Sequence, residues 1–129
     1  MNKQDHIKHW VETCQEDWLS AHDLFQTKRF LQCLFFAHLT IEKLSKAHWV
    51  KDNSTDIPPR THNILRLWQD THLQPSADLE NTAVELNNFQ MDGRYQDYQR
   101  ASYQRATEAF TRALLDDTDK LRQWLLSNL

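Results

Sequence analysis

Seven histidines, an arginine followed by two tyrosines, and a handful of acids at helical spacing are the residues in this chain that could do chemistry. Histidines invite a metal, but a di-iron helical site needs Glu-x-x-His, which sets a carboxylate and an imidazole on one helix face. The residues three before each histidine are Lys3, His6, Leu19, Phe35, Ser45, Pro59 and Gln69, none of them Glu. His6 with His9, and His38 with Glu42, each share a helix face, but two ligands do not make a site. No metal or other cofactor is therefore expected. A nucleophile elbow or a glycine-rich phosphate loop needs several glycines, and the chain has one, Gly93.

That glycine stands in "NNFQMDGRYQDYQ", residues 87 to 99. Asp92-Gly93 reads as a helix stop, because glycine takes the left-handed conformation that closes a C-terminus. On that reading Arg94 is a surface cation and Tyr95 and Tyr98 pack. The sharper alternative places Arg94 and the tyrosines in a cleft at one end of the fold, where a guanidinium fork grips a phosphate or a carboxylate.

The elements that must position these residues are helices. One glycine and three prolines in 129 residues leave too little turn chemistry for a sheet. The first helix is expected from an N-cap at Asp5 through Trp10, Cys14 and Trp18 to Phe25, where "QTKR" breaks it. The second, from about Arg29 to Val50, carries an apolar stripe wide enough to need neighbours on more than one side, which makes it central. "DNSTDIPP" ends it. Thr61 is expected to cap a short third helix and Ser76 a fourth. The last starts near Gln99 or Ala101 and runs unbroken through Phe110 to Leu125. The expected fold is all-α: a single domain over 1–129, an antiparallel up-and-down bundle of four to five helices.

Composition narrows the function. A net charge of −3 gives no global basic field, so any RNA or nucleotide contact must be local. Cys14 and Cys33 sit among apolar residues and are expected to be buried thiols. The polar start, with no run of apolar residues long enough to span a bilayer, points to a cytoplasmic protein without a membrane partner.

Three stretches together resemble the HEPN family of small helical domains, in the family's order. "IEKLSKAHWV" (Ile41 to Val50) is similar to its central helix, "PPRTHNILRL" (Pro58 to Leu67) to its proline loop and following helix, and "GRYQDY" (Gly93 to Tyr98) to its Arg-Tyr-Pro-Asp turn, with Gln96 where proline is usual. The resemblance implies a helical bundle, commonly a homodimer, that binds a nucleotide or works with a minimal nucleotidyltransferase in a toxin–antitoxin-like pair. Arg94 and Lys46 would then contact phosphate, Tyr95 or Tyr98 would stack, Asp97 would hold the turn, and His62 would face the same end of the bundle. Lys46 also has Glu42 four residues before it, a pair that fits a solvated helix face.

Some members of the family are metal-independent ribonucleases with an arginine four to six residues ahead of a histidine. Here Arg66 and His72, with five residues between them, satisfy that spacing, but one such pair is what chance supplies, and it lies off the last helices. A composite Arg94/His62 site across a dimer is the other ribonuclease alternative. The third reading is a purely structural dimerisation module, with Trp10, Trp49 or Trp124 on its interface. The binding module, not an enzyme, is the expectation.

Overall fold

Polar caps and the left-handed Lys28 set where several of the helices begin and end. In the computed structural model, which describes residues 1–90 and 101–129, the order is α1 (Lys3–Gln26), α2 (Phe30–Asp52), α3 (Ile64–Trp68), α4 (Ala77–Asn87), α5 (Ala101–Arg105) and α6 (Glu108–Ser127). Among the described residues there is no strand, and the fold is the all-α bundle expected.

The cap of α1 is Asn2 rather than Asp5. Asn2 Oδ1 accepts from the Asp5 amide at 2.8 Å, and Asp5 Oδ2 accepts from the Asn2 amide at 3.2 Å, a reciprocal capping box. Asp5 is its third helical residue. At the other end Lys28 takes a positive φ of 63° and turns the chain sharply into α2. Asn63, not Thr61, caps α3: its Oδ1 accepts from the Leu65 and Arg66 amides, while Thr61 Oγ1 accepts from the Asn63 amide. Ser76 caps α4 as expected. The expected last helix is divided, which raises the helix number to six among the described residues. Thr107 sits extended at ψ 166° and its hydroxyl accepts from the Phe110 amide, starting α6 anew after the single turn of α5.

Helix α2 is the axis, in contact with α1, α3, α4, α5 and α6. From Cys33 to Val50 none of its residues is exposed. Several of its buried polar groups tie it to its neighbours by hydrogen bonds, as a low-dielectric interior favours. Ser45 Oγ donates to the Ile41 carbonyl at 2.7 Å and accepts from Trp68 Nε1 at 2.8 Å, locking α3 to α2. His48 Nε2 donates to the Leu125 carbonyl at 2.7 Å, locking α6. Lys3 Nζ reaches from α1 to the Val50 and Asn53 carbonyls and to Asp56 Oδ1, closing the C-terminus of α2. That hydrogen bond holds the Asp56 carboxyl below its ordinary range. Cys14 and Cys33 are free and buried, as expected.

Candidate functional site

Midway along α2, residues 38, 42 and 46 form a row spaced i, i+4, i+8 of side chains that can carry charge. Glu42 is its centre, with only 4% of its side chain exposed. Burying a carboxylate is costly unless both oxygens find donors. They do: Oε2 accepts from Lys46 Nζ at 3.0 Å and Oε1 from His62 Nδ1 at 2.9 Å. The Lys46 ammonium also lies 5.2 Å from the centre of the Trp10 ring.

His38 backs the cluster from the core. Its Nε2 faces two oxygens, the His62 carbonyl at 2.8 Å and Asn87 Oδ1 at 3.2 Å, so Nε2 carries the proton. Nδ1 is left buried without a hydrogen-bond partner, 3.8 Å from Glu42 Oε1. Burial pushes the His38 imidazole below its ordinary value, against the opposing pull of Glu42. Asn87 on α4 completes the frame: Oδ1 also accepts from the Ile64 amide, and Nδ2 donates to Asn63 Oδ1. Thus α2, α4 and the loop before α3 fix the position of His62 from both its backbone carbonyl and its ring.

His62 is half exposed and opens onto a cleft of about 440 Å³ with Arg60, Thr61, Asn63, Asn87 and Gln90. An imidazole tethered through Nδ1 to a carboxylate is held in one tautomer and one orientation, which suits it to polar recognition or proton transfer. A groove of similar volume between α4 and α6 is lined by Asp78, Glu85 and Asp117 against one cation, Lys120, and would repel an anionic ligand.

Of the site residues expected from sequence, His62 and Lys46 meet here, both on Glu42. Lys46 is only 15% exposed and its ammonium is engaged. Arg94, Tyr95, Asp97 and Tyr98 lie outside the described residues, as does Gly93. Gln90, the last described residue before them, lines the cleft. Arg66 and His72 are not brought to it. Arg66 pairs with Asp70 at 3.1 Å, and His72 sits by Asp52 in a separate cleft with His48 and Trp124. Among the described residues no group of three or more His, Cys, Asp or Glu side chains is placed to hold a metal.

Sequence reasoning passed over Glu42, His38, Asn87, Asn63 and Arg60 as site residues. The one local signal is the i, i+4, i+8 row of His38, Glu42 and Lys46; Asn63 and Asn87 join it only through contacts 20 or more residues apart.

The bundle is shared with solved structures. It resembles an archaeal HEPN homologue, ST0689, with a TM-score of 0.73 and 21% identity, covering 95% of this chain and 96% of that one. It also resembles TT1696 from Thermus thermophilus, with a TM-score of 0.81 and 20% identity, covering 95% and 98%. At these identities the likeness shows the fold alone. None of the curated proteins matches. The HEPN domain model, however, matches residues 7–128, from the first turns of α1 to the end of α6, and the chain belongs to the HEPN domain family.

Proposed function

We propose that the chain is a non-catalytic binding module whose ligand site is the His62 cleft, and that the ligand is a nucleotide. The observation that carries this reading is the buried Glu42 carboxylate, held by Lys46 and holding His62, at the edge of an open polar cleft. A buried charge cluster contributes little net stability, so its value lies in fixing what it positions. In this reading Lys46 acts through Glu42. Arg94 grips phosphate, Tyr95 or Tyr98 stacks on the base, and Asp97 holds their turn; these four enter from the sequence. The module acts as a homodimer in the cytoplasm beside a minimal nucleotidyltransferase, as in a toxin–antitoxin pair, with catalysis and magnesium belonging to that partner. Support for a non-catalytic role comes from Arg66 and His72, which lie beside different carboxylates, Asp70 and Asp52, and neither of which lines the His62 cleft.

The test is a calorimetric titration of ATP into the parent protein, Arg94→Ala and His62→Ala. Heat of binding in the parent, reduced in both variants, is the expected result; no binding by the parent sinks the reading. The carboxylate-oriented imidazole of His62 favours one alternative, a metal-independent ribonuclease. RNA cleavage in EDTA that disappears in His62→Ala would establish it in place of the binding module.

A further inference from the structure

The hydrogen-bonding capacity around the cleft is lopsided. On the side of Asn63 and Asn87 the side-chain acceptors are consumed by the protein itself. Asn63 Oδ1 takes three donors, from Leu65, Arg66 and Asn87. Asn87 Oδ1 takes the Ile64 amide and His38 Nε2, and His38 also takes the His62 carbonyl. Glu42 has both oxygens engaged. The backbone donors of the loop are spent as well: Thr61 N–H on the Pro59 carbonyl at 2.9 Å, Asn63 N–H on Thr61 Oγ1, and the first amides of α3 on their asparagines.

What is left over is side-chain donors. Three donors on Asn63 Oδ1, two of them backbone amides, fix its orientation, so the Asn63 amide turns its NH₂ group away from the helix it caps. The Thr61 hydroxyl accepts from Asn63 N–H and keeps its own hydrogen. Arg60 stands between Pro59 and Thr61, in the turn closed by the Thr61–Pro59 hydrogen bond, and is exposed. Arg66, Arg105, Arg112 and Arg122 each hold a carboxylate, whereas Arg60 has no such partner among the described residues.

The Arg60, Thr61 and Asn63 side chains thus present donors on one side of the cleft, and a guanidinium fork beside an amide NH₂ and a hydroxyl matches the non-bridging oxygens of a phosphoryl group. We propose that Arg60, Thr61 and Asn63 form a donor-only subsite for the phosphoryl end of the nucleotide held in the His62 cleft. This rests on the reading of that cleft as a nucleotide site. It assigns phosphate recognition on the described surface to the proline loop, with Lys46 confined to holding Glu42.

Titrations in EDTA, which keeps the phosphates unmetallated, test the subsite with ATP, adenosine and inorganic phosphate. The proteins are the parent, Arg60→Gln, Asn63→Asp and His62→Ala. Asn63→Asp is the informative change, because a carboxylate still caps α3 and accepts from Asn87 but replaces the NH₂ donor with a repelling oxygen. ATP should bind the parent on the order of tenfold or more tightly than adenosine does, and Arg60→Gln and Asn63→Asp should each weaken ATP by roughly tenfold, with the thermal midpoint of Asn63→Asp kept. Adenosine binding as well as ATP overturns the subsite. So does ATP binding that is lost in His62→Ala yet unchanged in Arg60→Gln and Asn63→Asp, an outcome that leaves the nucleotide reading of the cleft standing. Inorganic phosphate matching ATP overturns the nucleotide assignment, and no ATP binding by the parent removes the cleft reading itself.

Discussion

Glu42 is the residue on which the site depends. Its replacement by glutamine removes a charge from between Lys46 and His62 and leaves a buried ammonium without a counter-ion. Breaking a buried pair from one side costs far more than the pair is worth, so Glu42→Gln should lower unfolding free energy by on the order of 3 kcal/mol, read by urea denaturation. A loss within a few tenths of zero would mean that Lys46 simply swings into solvent. The buried histidines predict a pH dependence. His38 and His48 are both pushed below the ordinary imidazole value of 6.5, in each case chiefly by burial. The folded state keeps them neutral while the unfolded chain protonates at its ordinary value. Their contribution is therefore complete above about pH 6.5 and is lost progressively as pH falls below it. The double variant His38→Gln/His48→Gln, in which each amide can still donate to the same oxygens, should show a shallower loss of stability between pH 7 and pH 5 than the parent. An unchanged slope would assign the acid sensitivity elsewhere.

At the scale of elements, the turn between α1 and α2 carries a cost. Lys28 holds φ at 63°, a region that disfavours any residue with a Cβ. Lys28→Gly should raise stability by about 0.5–1 kcal/mol, after the extra freedom glycine gives the unfolded chain is subtracted, as read from thermal unfolding. A drop instead would show the lysine stem to be packing. The helices themselves were legible because apolar spacing is a local signal: the wide stripe of α2, the break at "QTKR" and the cap at Ser76 all stand where periodicity puts them. Two caps were misplaced because several capping-competent residues crowd each start. Asn2 competes with Asp5, and Asn63 with Thr61, and the winner is settled by tertiary partners such as Asn87. The division at Ala106–Thr107 is hidden for a different reason. Periodicity runs straight through it, and the new start is set by the extended Thr107 cap.

For the molecule as a whole, α6 lies along α1 through arginines resting on aromatic rings. Arg122 sits 5.0 Å from the centre of Trp18, and Arg112 sits 4.9 Å from that of Phe25. Both thiols are buried in the interior. Burial raises Cys14 to about 11 and Cys33 to about 12, so neither supplies much thiolate at neutral pH. Native protein should therefore react with a thiol reagent only as fast as it unfolds, and prompt labelling at pH 7.5 would contradict the packing of α1 on α2. Global properties such as these were readable from composition, since a wide stripe and two cysteines in apolar company imply a buried core. The candidate site was readable only in its ends. His62 drew notice for its place after the proline loop, whereas Glu42 read as half of a solvated i,i+4 pair with Lys46. Nothing near residue 42 in sequence announces that residues 62 and 87 close over it.

The cleft at that junction carries the functional claim, and it can be located directly. The measurement is a two-dimensional amide correlation spectrum of isotopically labelled protein titrated with ATP in EDTA. The largest shifts should fall on Arg60 through Asn63, Asn87 and Gln90, with the acid-lined groove of Asp78, Glu85 and Asp117 unmoved. Shifts centred on that groove, on the Trp18–Arg122 face, or nowhere would contradict the account.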